Sequence, residues 1–128
     1  MDITHVEIPP IVLDWSEWYP WPRFLKDART DPLAVDVPSA PGVYEARYCD
    51  GNERLTIGRA SDLRLRVKQG LVKGKLPHSA GKRIRASADT ARIVVRWAVT
   101  DRPAAVEEEL HAKHIAAFGR LPRYTETT

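Results

Sequence analysis

The chain has 128 residues, 43% apolar and 29% charged, with a formal net charge of +3 and a single cysteine, Cys49. That length suits one compact domain with room for a core, in the ordinary composition range of a soluble globular protein. No apolar run is long enough for a bilayer span and no charged-then-apolar leader opens the chain. A cytoplasmic protein without membrane association is therefore expected. One cysteine rules out an intramolecular disulfide framework, fits a reducing compartment, and by its place in a strand reads as a buried, inert thiol.

Charge is unevenly spread. Residues 1 to 37 carry seven acids and three bases, and the remainder carries ten acids and seventeen bases. Between 59 and 85 there are nine Lys or Arg side chains against Asp62 alone. A stripe of that kind suits a polyanion such as a phosphate backbone, although a solvated surface would look the same.

In chain order, residues 1 to 39 read as an N-terminal aromatic and proline-rich extension packed on a domain of residues 40 to 128. Ile8-Pro9-Pro10-Ile11-Val12-Leu13 reads as an extended piece at a sheet edge. Trp15, Trp18 and Trp21 follow at three-residue spacing, with Pro20 and Pro22 limiting any helix to one turn. Such a cluster either packs the arm onto the domain, stacks nucleobases, or contacts a protein partner or second copy. Residues 31 to 41 read as a linker. The acidic arm could also fold back over the basic stripe.

A strand is predicted over Gly42 to Tyr48, a turn at Asp50-Gly51-Asn52, and a second strand over Leu55 to Ile57. Ser61-Asp62 opens a helix whose apolar positions are Leu63, Val67 and Leu71. On its wheel Arg66 falls at the border of the apolar stripe, aimed toward a cleft, and Lys68 points further out. A loop from Gly70 to Ser79 leads to a short helix, Ala80 to Ala88, carrying Lys82, Arg83 and Arg85. His78 in that loop reads as incidental. Arg92 to Val99 is dense in β-branched residues and reads as a central strand covered on both faces. Asp101 is the predicted cap of a long helix with Pro103 in its first turn, a stripe of Val106, Leu110 and Ala117 with Phe118 at its edge, and Gly119 at its end. The predicted fold is α+β, a small three-stranded antiparallel sheet flanked by helices.

On the long helix Glu107, His111 and His114 share a face, but their spacing lacks the zincin arrangement and a fourth ligand. Glu107 and Glu109 lie near the borders of the apolar stripe and Glu108 faces water. The three acids also complement the helix dipole. The sequence contains no Walker loop, nucleophile elbow or dinucleotide fingerprint.

These residues together resemble the GIY-YIG nuclease superfamily over roughly residues 40 to 125. Gly42-Val43-Tyr44, introduced by Pro41, stands for the first element of that motif, and Thr56-Ile57-Gly58 for the second. Arg59-Ala60-Ser61-Asp62-Leu63-Arg64-Leu65-Arg66 resembles the segment that follows and places Arg66 at the catalytic arginine. Leu121-Pro122-Arg123-Tyr124 resembles the segment before a closing asparagine. Thr56 departs from the second tyrosine and Thr125 from the asparagine.

The resemblance implies a metal-dependent endonuclease hydrolysing phosphodiester bonds, with DNA as partner and RNA as the other option, and no small-molecule cofactor. Catalytic roles fall on Tyr44, Arg59, Arg66 and Glu107. One Mg²⁺ or Mn²⁺ is expected on Glu107, with Glu109 or His111 as the other occupants of that position. Arg64, Lys68, Lys73, Lys75, Lys82, Arg83 and Arg85 would track the backbone. A non-catalytic nucleic-acid-binding module on the same scaffold, or a protein-interaction domain using Trp15, Trp18 and Trp21, are the other readings.

Overall fold

The structure is a computed structural model that describes residues 4–5 and 10–125. Ile8 and Pro9 of the expected extended piece, and the polar tail beyond 125, lie outside the described residues. Strand β2 (Gly42–Tyr48) is the short apolar strand predicted ahead of the Asp50-Gly51-Asn52 turn. Strand β3 (Arg54–Ala60) runs further than expected in both directions. Strand β4 spans Ile93–Val99. A fourth, two-residue strand, β1 (Tyr19–Pro20), was not expected and makes the sheet four-stranded, antiparallel, in the order β1-β4-β2-β3. It forms because Pro20 sits at an edge, where the missing amide is not needed by the ladder.

The alternation of side chains along these strands sorts the core into two faces. Tyr44 and Ala46 of β2 join Ile93, Val95 and Trp97 of β4 on one side, and Val43 joins Ala98 on the other. β4 lies inside the sheet as predicted, but Val94 and Arg96 on its second face are only half-buried. The strand buried along its first five residues is β2. Trp21, Phe24, Val35 and Val37 of the N-terminal segment pack into the first-face cluster, so this segment contributes directly to the main core. Trp15 and Trp18 lie against guanidinium groups instead: Arg96 is 4.0 Å from the Trp15 ring, and Arg47 and Arg96 are 4.3 and 4.4 Å from the Trp18 ring. Between these arginines is Glu45, only 3% exposed, with Arg96 Nε at 2.8 Å and Arg54 Nε at 3.3 Å. Stacking and ion pairing together offset the cost of burying that carboxylate.

The segment Arg64–Val72 is a helix wound with i→i+5 hydrogen bonds, closed by Lys73 N–H donating to Lys68 O at 3.0 Å. This winding is rare and fits more residues into each turn than an α-helix. The buried face widens accordingly: Leu63, Val67 and Leu71 are buried as expected, and Lys68 and Val72 are buried beside them. The outward placement expected for Lys68 is therefore corrected. Its Nζ donates to Val35 O at 2.9 Å.

Helix α1 (Ser79–Ser87) follows, with Ala80, Gly81 and Ile84 buried. Helix α2 (Pro103–Phe118) packs Val106 against Val43 and Ala98 on the second face of the sheet. Pro103 opens it and Gly119 ends it at φ 76°, a left-handed conformation glycine adopts freely. The cap predicted at Asp101 is not made. Arg102 occupies that position, its amide donating to Thr100 Oγ1 at 3.1 Å. Val106 and His114 are the helix's buried residues and Ala117 is exposed, so the stripe runs through a histidine rather than that alanine. Cys49, expected to be buried, lies just past β2 and is exposed. Among the described residues no helix is long and apolar enough to cross a membrane.

Candidate active site

β3 is the outer strand of the sheet, and a cavity of about 310 Å³ wraps its edge. Tyr44, Thr56, Gly58, Arg59, Arg66, His78, Glu107 and Thr125 line it. The four residues assigned catalytic roles from sequence thus come to one place from four elements: Tyr44 from β2, Arg59 from β3, Arg66 from the wide helix and Glu107 from α2.

Tyr44 is 1% exposed and pairs across the sheet with Gly58 on one side and Trp97 on the other. Gly58 is required there for space, because a Cβ would overlap the Tyr44 hydroxyl and ring. The glycine after Thr56-Ile57 therefore opens the path by which a core tyrosine reaches the cavity. Gly42 is tight for a similar reason, a Cβ there overlapping Ala98 O. The Tyr44 hydroxyl lies 2.6 Å from His78 Nε2. Burial pushes its phenol pKa up to about 12, against the opposing pull of the Arg66 guanidinium.

Arg66 is half-buried and held by Pro77 O, which accepts from its Nη1 at 3.1 Å. Arg59 Nε lies 4.0 Å from Glu107 Oε1. Glu107 is half-buried and is, among the described residues, the one carboxylate lining the cavity, whereas Glu108 and Glu109 are exposed and Glu109 lies 3.8 Å from Lys113. His111 Nε2 lies 3.0 Å from Ile57 O, and His114 bridges Arg120 O and the Arg54 amide through its two nitrogens. Both imidazoles thus fasten α2 to β3 and the C-terminal segment. Among the described residues no three His, Cys, Asp or Glu side chains cluster as a metal cage. A single carboxylate, among the described residues, at an open cavity fits a hard divalent cation that keeps most of its water and takes further ligands from a phosphate.

The two departures from the family motif meet. Thr56 Oγ1 and Thr125 Oγ1 are 3.2 Å apart, and Ile57 N–H donates to Thr125 Oγ1 at 3.2 Å. With Tyr124 N–H donating to Leu55 O at 2.9 Å, the C-terminal segment covers part of the β3 edge. Two short hydroxyls thus satisfy each other where larger side chains were expected.

Of the basic residues, Lys75 and Lys82 line a second groove, about 530 Å³, that shares His78 and Ser79 with the first. Both are exposed, and Lys73 is half-buried. Others serve the fold. Arg64 Nε donates to Val37 O at 2.8 Å and its Nη2 lies 3.3 Å from Asp36, so the N-terminal segment crosses the wide helix here. Arg85 Nη1 donates to Gly70 O and Leu71 O at 2.9 and 2.6 Å, covering carbonyls at the end of that helix. Arg83 lies over the Tyr124 ring at 5.4 Å. Lys68 is buried with its ammonium on Val35 O, away from the exposed position in which a backbone contact was expected.

His78 is the site residue that the sequence reading set aside. The one local signal for it is its place immediately before a helix, where a side chain that accepts from a free amide is useful.

No protein-family model matches the chain, and no curated protein matches it. Among solved structures it is similar to the GIY-YIG N-terminal endonuclease domain of UvrC from Thermotoga maritima, in two tyrosine-to-phenylalanine point mutants bound to the catalytic divalent cation. One is 23% identical with a TM-score of 0.44 and the other 21% identical with a TM-score of 0.41. Each match covers 70% of this chain and 87% of that domain.

Proposed function

We propose that this protein is a metal-dependent endonuclease of the GIY-YIG type that hydrolyses phosphodiester bonds in DNA. The observation that supports this reading is the meeting of Tyr44, Arg59, Arg66 and Glu107 in one cavity at the β3 edge. Phosphodiester hydrolysis needs a nucleophilic water in line, charge on the phosphoryl oxygens neutralised, and the leaving oxygen stabilised. Arg66, held by Pro77 O, would clamp non-bridging oxygens with Arg59 beside it. Tyr44, with its pKa near 12, is a neutral phenol at neutral pH and would orient reactants by hydrogen bonding. Glu107 would hold a divalent cation, which when bound supplies Lewis-acid stabilisation of the phosphate. Lys75 and Lys82 would carry the flanking backbone along the adjoining groove without reading sequence.

The test is nicking of supercoiled plasmid with Mg²⁺ or Mn²⁺, comparing wild type with Arg66→Ala and Glu107→Ala. Cleavage in wild type and its loss in both variants is the expected result. Cleavage that survives both substitutions refutes the site. The second reading, a non-catalytic nucleic-acid-binding module, is favoured by the Thr56–Thr125 pair that replaces the motif tyrosine and asparagine. Salt-sensitive DNA binding without any cutting would decide for it.

A further inference from the structure

We propose that His78 is a positioning residue for the Tyr44 hydroxyl. Its tautomer is locked by the Gly81 amide, and its Nε2–H turns the phenolic O–H toward a substrate phosphoryl oxygen. The role in cleavage rests on the nuclease reading; the hydrogen-bond polarity does not.

Three contacts define the arrangement. Gly81 N–H donates to His78 Nδ1 at 2.9 Å, in the bond that caps α1. A backbone amide can only donate, so Nδ1 carries no proton, and a neutral imidazole must then carry its proton on Nε2. That Nε2 lies 2.6 Å from Tyr44 Oη, with both rings buried. The ring is seated against Gly70, where a Cβ would come within 3.4 Å of it. Tyr44, Arg66 and Arg85 are the polar and charged groups that act on His78 from the elements around it. Burial, reinforced by the two arginines, lowers its pKa to about 4, so the ring stays neutral at physiological pH.

The polarity follows. Nε2–H donates and Tyr44 Oη accepts, so the single phenolic proton points away from His78. Tyr44, His78, Arg66 and Arg59 all line the cavity, and the Arg66 guanidinium acts on the same hydroxyl, so a proton turned from both is left for a group that the cavity holds. A phosphoryl oxygen bound there would receive a third donor from Tyr44, fixed before substrate arrives. A donor placed in advance at developing negative charge is the arrangement that lowers a barrier most effectively. Tyr44 on this account is an electrostatic donor and His78 sets its direction.

Two substitutions separate this role from a merely structural one. His78→Asn places Oδ1 near the position of Nδ1, so it retains the α1 cap but has no donor that reaches Tyr44. His78→Gln extends an amide N–H to about the Nε2 position. The nicking rate is expected to fall about 10- to 100-fold in His78→Asn with little change in KM, and to recover at least partly in His78→Gln. Nitrogen-detected NMR of the free protein should show Nε2 protonated and Nδ1 unprotonated from pH 5 to 9, with Tyr44→Phe moving the Nε2 resonance. A His78→Asn variant that cuts at the wild-type rate overturns the proposal. So does an Nδ1–H tautomer, or a ring that titrates near 6.5. A wild type that cuts no DNA overturns the nuclease reading instead, and the tautomer spectra then decide the His78–Tyr44 polarity alone.

Discussion

Gly58→Ala isolates the steric logic of the site from its chemistry. Gly58 is an interior strand residue without a left-handed backbone, so alanine there would ordinarily gain about 0.5–1 kcal/mol over glycine. The obstacle is the Tyr44 ring, which the new Cβ would overlap at both the hydroxyl and the carbon that bears it. Tyr44 is 1% exposed and has little room to retreat. Forcing it aside should cost about 1–3 kcal/mol in overpacking. Pulling its hydroxyl off His78 leaves a buried donor unpaired, a further cost of about 1–3 kcal/mol. The expected net loss is roughly 3 kcal/mol, or a drop of about 12 °C in Tm for a domain of this size. Thermal and urea unfolding would measure it. The decisive arm repeats the substitution in a Tyr44→Leu background, where no ring stands over the glycine and alanine should be neutral or stabilising. An equal cost in both backgrounds would show that Gly58 is needed for some other reason.

Three further outcomes follow from the same structure. Glu45→Ala leaves Arg54 and Arg96 without their shared counter-ion and should cost about 3–5 kcal/mol by urea unfolding, with Glu45→Gln intermediate. Lys68→Met removes a buried ammonium while keeping the stem. The salt dependence of DNA binding should not change, whereas Lys75→Ala with Lys82→Ala should flatten it by about two charges. His78 has a folded pKa of about 4 against 6.5 for the free side chain, so its stabilising contribution is complete above about pH 6.5. It falls as pH drops toward 4, because the unfolded chain takes up the proton first. The loss is on the order of 3 kcal/mol at about 1.4 kcal/mol per unit, and His78→Asn should abolish that part of the pH dependence of unfolding.

What was legible in the sequence was what local pattern encodes. The short apolar run from Gly42 to Tyr48 ahead of a turn signal marked β2 to the residue, Pro103 and Gly119 bounded α2, and the four-residue spacing of Leu63, Val67 and Leu71 marked one buried helix face. The family resemblance carried by the two glycine-bearing strands assigned Tyr44 and Arg66, and the wheel of α2 turned Glu108 to water while leaving Glu107 and Glu109 both near the borders of its stripe. Other features depended on long-range contact. No wheel drawn at 3.6 residues per turn could foresee a helix wound wider, which buries Lys68 on Val35 O and removes it from the basic stripe. A two-residue strand such as β1 has no periodicity to detect and exists only because β4 offers it an edge. Thr56 and Thr125 look like two independent losses until the chain returns across 69 residues and bonds one hydroxyl to the other. His78, an ordinary loop histidine by sequence, acquires its meaning from Tyr44 34 residues earlier and from the helix amide that fixes its proton. The sequence by itself determined which side chains could serve a phosphate. The tertiary structure decided which of them face the cavity and which are spent holding the fold, since that choice rests on burial and on hydrogen bonds between distant segments.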